Sequence, residues 1–179
     1  MSNLRLINNT SITANVSSVN ITDVFTTDFD IYKIVVSGIS LVGTSQSDLN
    51  MRLINASGSV ISDSEYDYAH QIMRTDASFT EQRATNQTLF LRTFAESTDQ
   101  APESTGAVVY VFNPNSSSSY TFILYQNMDA GAGLKIGMKG IGVYSRTDTI
   151  SGFQLIENNS PDRPFNSGAI RTYGLRVDT

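Results

Sequence analysis

Apolar and polar residues alternate with a period of two from one end of this 179-residue chain to the other, and Gly, Asn, Asp, Ser or Pro clusters close each alternating stretch. Period two is the repeat of a β-strand, whose side chains point to opposite faces in turn, so the pattern commits the chain to β-structure. The clearest stretches are Leu4–Ile7, Ile31–Ile39, Leu49–Ile54, Thr88–Ala95, Ala107–Phe112, Tyr120–Met128, Leu134–Tyr144, Gly152–Ile156 and Gly168–Val177. In Tyr120–Met128, Tyr120, Phe122, Leu124 and Met128 share one face, while Thr121, Ile123, Tyr125 and Asn127 share the other. Apolar residues on both faces predict a central strand in a packed sandwich. Asn113-Pro114-Asn115 and the serines after it predict a hairpin-type reversal, since Pro donates nothing to a ladder.

Nine or ten short strands separated by turns point to one all-β domain over residues 1–179, an antiparallel β-sandwich of jelly-roll type, with a closed barrel as the rival. Three segments read less clearly. Ser62–Thr75 has room for a helical turn, and Glu96–Thr105, with Pro102, reads as an exposed loop. Residues 1–28, rich in Asn, Ser and Thr, are expected to serve as an arm or edge strand on a neighbouring subunit. The alternative is an ordinary strand pair, with Leu4, Leu6, Ile12, Val16, Val19 and Ile21 reaching the chain's own core.

Composition narrows function more than fold. There is no cysteine, which removes disulfides and thiolate metal sites and fits a reducing cytoplasm. The opening MSNLRLINNT lacks the charged-then-apolar pattern of a signal peptide, and no run is long and apolar enough to span a bilayer as a helix. A net charge of −5 argues against nucleic acid or an anionic membrane as the main partner. Charge is uneven along the chain, −7 over residues 1–130 and +2 over residues 131–179, which would suit head-to-tail association of identical subunits.

Catalytic chemistry finds little to work with. His70, in YDYAHQIM, is the one histidine, and no Gly-x-Ser-x-Gly elbow accompanies it, so it reads as a structural or surface residue. Asp63, Glu65 and Asp67 would line one side of an extended backbone, where calcium could use them, but no EF-hand loop surrounds them and a solvated acidic edge is the plainer reading. A glycosidase pair drawn from these or from Glu81, Glu96 and Glu103 would be arbitrary, because the required separation is spatial. The glycines from Asp129 to Gly142 match neither phosphate-loop spacing and read as strand glycines that allow bulges or close approach. Among eight tyrosines, Tyr66 and Tyr68 are the pair expected to be exposed, as a sugar-binding platform would require. No catalytic, cofactor or metal residue is assigned, and the chain is expected to be no enzyme and to need no cofactor or metal.

Several patches carry a resemblance: Asp30-Ile-Tyr-Lys-Ile-Val-Val-Ser-Gly-Ile, Leu49-Asn-Met-Arg-Leu-Ile-Asn-Ala-Ser-Gly-Ser-Val-Ile, Ser64-Glu-Tyr-Asp-Tyr-Ala, Thr149-Ile-Ser-Gly-Phe-Gln-Leu-Ile and Ser167-Gly-Ala-Ile-Arg-Thr-Tyr-Gly-Leu-Arg. Together, from about residue 30 to 177, they resemble small β-sandwich virion proteins of tailed marine bacteriophages, including cyanophages. The resemblance implies a structural component of the virion, assembled in the host bacterial cytoplasm. Its expected role is a capsid-associated decoration (cement) protein, a homo-oligomer bound to the major capsid protein. A tail or fibre adhesion module for host-surface carbohydrate is the first alternative, and a polysaccharide hydrolase the second.

Overall fold

The computed structural model describes residues 3–43, 46–76, 79–97, 105–131, 134–157 and 163–176, with no helix among them. Twelve strands run in chain order: β1 Leu4–Ile12, β2 Ser18–Ile21, β3 Ile31–Leu41, β4 Ser47–Asn55, β5 Tyr66–Arg74, β6 Thr80–Gln87, β7 Glu96–Ser97, β8 Thr105–Phe112, β9 Thr121–Gly131, β10 Leu134–Tyr144, β11 Ile150–Glu157 and β12 Phe165–Leu175. They form two antiparallel sheets packed as a sandwich, as the alternation predicts. The wide sheet has eight strands in the order β1-β12-β3-β8-β9-β10-β5-β6, and the narrow one has four, β2-β11-β4-β7.

The core lies between the sheets. From the wide sheet come Tyr32, Ile34, Val36, Val109, Val111, Ile123 and Tyr125, and from the narrow one Leu49, Met51, Leu53, Phe153 and Leu155, each nearly or fully inaccessible to solvent. Burying a tyrosine is favourable only if its hydroxyl finds a partner. Tyr32 donates to the Thr26 carbonyl at 2.7 Å and accepts from the Thr26 N–H. Tyr66 donates to the Ile61 carbonyl and accepts from the Leu53 N–H, both at 3.0 Å, and so ties the two sheets together. The register slips between Ser37 and Ile39 and between Ser167 and Ala169, where Gly38 (φ 63°) and Gly168 (φ 145°) take backbone angles that L side chains resist.

Four local expectations are corrected. Thr88–Ala95 is no strand: Phe90 makes one bridge to Met51, after which the chain turns with Arg92 and Ala95 at positive φ. Its apolar residues Leu89, Phe90, Phe94 and Ala95 are buried from a turn and plug the core. Ser62–Thr75 holds no helical turn, since most of it is β5. Polar β6 was not foreseen at all, because an exposed edge strand reading TEQRATNQ carries almost no apolar alternation. Glu96, Ser97 and Thr105, the described ends of the expected exposed loop, are buried; Pro102 and Glu103 lie outside the described residues.

The described part of residues 1–28 forms β1 and β2 within this chain's own sandwich, each at an outer edge of its sheet. β1 pairs with β12, and β2 with β11. Ile12, Ile21, Val24 and Phe25 enter the core, whereas Leu4, Leu6 and Val16 stay exposed. The segment is therefore not an extended arm in this structure.

Candidate functional site

Eight strands cover more area than four, and every strand of the wide sheet has a second face. On β9 the inner side carries Thr121, Ile123, Tyr125, Asn127 and Asp129, all buried. The outer side carries Phe122 (43 % exposed), Leu124 (37 %) and Met128 (69 %), and on neighbouring β10 Ile141 is 59 % exposed. The apolar second face of Tyr120–Met128, taken from sequence as a sign of a strand packed on both sides, is instead open to solvent.

Register shows how far this outer face extends, because paired residues of adjacent strands point the same way. One row runs Leu4, Leu175, Ile31, Phe112, Phe122, Val143, and is apolar across six strands. The next runs Leu6, Tyr173, Lys33, Tyr110, Leu124, Ile141, Ala69. A third runs Val35, Val108, Gln126, Lys139, Gln71, and a fourth Gly106, Met128, Gly137, Met73. The face is hollowed in two places. A cavity of about 790 Å³ is lined by Phe112, Phe122, Leu124, Ile141, Val143 and Arg83, and one of about 1100 Å³ by Val108, Met128, Met73 and Phe79 with their neighbours.

Four rows about 6.8 Å apart on five strands about 4.8 Å apart outline roughly 400 Å², within which Gln126, Lys139 and Gln71 form a polar band. That lies within the size range of the largest apolar patch on an ordinary monomer, where such patches mark interaction sites, and it is about half of the 800 Å² or so that each partner gives to a stable interface.

The residues singled out from sequence lie elsewhere or do other work. His70 is buried against Tyr68, its ring parallel at 5.8 Å, and its Nδ1 is 2.9 Å from the Tyr125 hydroxyl. Gly140 makes room for this pair, since a Cβ there would meet Tyr125 Cζ at 2.3 Å and His70 Cβ at 2.7 Å. Burial, partly offset by Gln82, holds the imidazole below its usual pKa. The folded chain therefore refuses a proton that the unfolded chain accepts once pH drops below about 6.5. Stability is expected to fall from pH 7.5 to 5.5, most of all below 6.5, and His70→Gln is expected to flatten that decline. Thermal melts of both proteins at several pH values check this, and parallel slopes would refute it.

Asp63 and Glu65 do not line up with Asp67. Both reach Arg146, at 3.5 and 3.2 Å, while Asp67 accepts the Asn86 N–H at 2.8 Å. Glu81 is exposed on β6, and Glu96 is buried at an ion pair of 3.0 Å with Arg92, which also holds Asp48 at 2.8 Å. Burial raises the Glu96 pKa and Arg92 opposes the rise. This cluster fastens the turn after β6: Asn127 Nδ2 donates to the Arg92 carbonyl at 2.7 Å, and the Arg92 N–H donates to Asn50. Tyr66 and Tyr68, expected to be exposed, are buried, so no sugar platform forms there. Among the described residues no His, Asp and Glu group is gathered as a metal would require.

No family model matches the chain, and no curated protein matches it. Among solved structures, a GH26-CBM35 β-(1,4)-mannanase of Podospora anserina aligns over 87 % of this chain and 26 % of its own length, at 14 % identity and a TM-score of 0.16. The chain thus spans about a quarter of that enzyme, and overlap this loose carries no argument about fold or activity.

Proposed function

We propose that this protein is a non-enzymatic structural component of a tailed-bacteriophage particle, a capsid-associated decoration protein that grips the shell through the outer face of its wide sheet. One observation carries the reading: Phe122, Leu124, Met128 and Ile141 are left in water at the centre of an eight-stranded sheet. Exposed apolar surface of this size contributes nothing to folding and is removed from water only by a partner. The strand-pattern resemblance to phage virion sandwiches supplies the kind of partner. A head shell repeats one surface many times, so a contact that is modest in area suffices for stable attachment.

The test is attachment to particles lacking the protein, read by occupancy in a reconstruction. Wild type is expected on the head, with β9 and β10 turned towards the shell. The double variant Leu124→Glu/Ile141→Glu is expected to keep its melting temperature within a few degrees, since both side chains are exposed. It should lose about 100-fold or more in affinity, because two carboxylates would be buried unpaired. Full occupancy of the variant, or density at the tail alone, would refute the proposal. Leu124→Thr/Ile141→Thr, which suits a strand better, guards against a folding defect and should weaken attachment in the same direction.

A further inference from the structure

Resting on that docking face, we propose that its occupant is an acidic amphipathic α-helix of the partner protein, seated in the trough over β9, β10 and β5. Three observations converge on helix and on acid.

The first is the floor. β9 is paired along its length with both β8 and β10, and β10 with both β9 and β5. No free backbone donor or acceptor row remains there to receive an added strand. An extended segment pressed onto this apolar floor would bury its own N–H and C=O groups without partners, at about 1–3 kcal/mol for each group. A helix satisfies its backbone internally and brings only side chains.

The second is size. The trough lies between Phe112 on β8 and Arg83 on β6, which both line its smaller hollow. Those strands stand four strand spacings apart, about 19 Å, whereas a helix with its side chains is about 10–12 Å across. The four rows run roughly 20 Å along the strands, the length of a helix of about 14 residues.

The third is charge. The face and its rim carry Lys33, Arg83, Lys135, Lys139 and Arg171, none of which makes an ion pair with another described residue, against Asp67 and Glu81. The Lys33 ammonium lies over the Tyr110 ring, 5.9 Å from its centroid. In a chain of net charge −5 the outer face of the wide sheet thus carries five cations against two anions, with Arg83, Lys135 and Lys139 on β6 and β10 beside the trough and Lys33 and Arg171 farther out on β3 and β12. A second copy docked face to face would set these cations against themselves, which association penalises. A helix with Leu or Phe at i, i+3, i+4 and i+7 and with Glu on its flanks meets both the floor and the rim.

The probe is a synthetic 18-residue helical peptide with four Leu anchors and six flanking Glu, alongside a twin carrying Lys in place of Glu and a third with a central Pro. The full-length protein is titrated with each, by fluorescence anisotropy and by amide shifts. The Glu peptide is expected to bind, to shift residues of β9, β10 and β5, and to bind at least about tenfold more tightly than the Lys peptide. The Pro peptide and the Leu124→Glu/Ile141→Glu variant are each expected to lose binding. Equal binding of the Glu and Lys peptides, no binding of either, or undiminished binding of the Pro peptide would overturn the helix. So would a concentration-dependent dimer that protects β9 and β10 from hydrogen exchange, which would make a second copy the occupant. Capture by phosphatidylserine vesicles through the same residues would overturn it in favour of a membrane. If the peptide fails while the Glu variant still loses particle attachment, the docking face stands and the helix alone falls.

Discussion

Removing residues 1–28 is expected to abolish the folded state. The deletion takes away β1 and β2, exposing the outer edges of β12 and β11, and with them Ile12, Ile21, Val24 and Phe25 from the core. Complete burial of one such side chain contributes about 1.5–3 kcal/mol, so four of them match much of the 5–15 kcal/mol by which a domain is stable. Phe25 matters most. Its ring meets Tyr32 edge-on at 4.8 Å and lies near-parallel to Phe153 at 6.0 Å, so it joins a wide-sheet tyrosine to a narrow-sheet phenylalanine. The backbone N–H groups of Val24 and Phe25 also both donate to the Ser151 carbonyl. Circular dichroism and a melt of the truncated protein give the answer: loss of the cooperative transition is expected, and a melting temperature within a few degrees of wild type would show that β1 and β2 are dispensable.

Phe153→Ala is expected to cost about 3–5 kcal/mol, the largest effect of any single side-chain truncation proposed here. Phe153 is fully buried on β11, with Phe25 on one side and the Phe94 ring, tilted, at 6.3 Å on another. Phe25 and Phe94 come from the loops that roof the core, one before β3 and one after β6, so neither can collapse freely into the vacated space. Denaturant unfolding should show a lower midpoint with an unchanged slope. A loss below about 1 kcal/mol would mean that the surroundings refill the cavity. Because the three rings share contacts, Phe94→Ala combined with Phe153→Ala should cost less than the two singles added.

What could be read from the sequence, and what could not, follows from one physical distinction. A strand half in water and half in core writes its pattern plainly, as Ile31–Leu41 and Thr105–Phe112 do, and these were located within a residue or two. Alternation reports which residues share a face without saying what covers that face. Leu89, Leu91 and Ala95 fall at strand spacing, yet their segment is a turn whose Phe90 and Phe94 plug the core, while Tyr66 and Tyr68 sit among acids and are buried. The same ambiguity hid the open apolar face. Phe122, Leu124 and Met128 read as a second buried side, and only the two-layer arrangement, with the narrow sheet packed on the opposite face, leaves that side open. The charges on that side were beyond reach for the same reason, since Lys33, Arg83, Lys139 and Arg171 come from β3, β6, β10 and β12 and are set on one face only by register. His70, by contrast, read as a structural or surface histidine, and it is buried with Tyr125 as its partner.

The pairing of β1 with β12 and of β2 with β11 has a consequence on the ribosome. Residues 4–12 meet residues 168–175, and residues 18–21 meet residues 153–156. At about 5–20 residues per second, translation takes roughly 7–30 s to pass from β2 to its partner, and slightly longer for β1. Through that interval Ile12 and Ile21 have left the ribosome before the strands that pair with theirs exist, while the β8–β9–β10 meander closes almost as soon as it emerges. Residues 1–28 are poor in aromatics and rich in Asn, Ser and Thr, a composition that keeps a nascent segment hydrated while it waits.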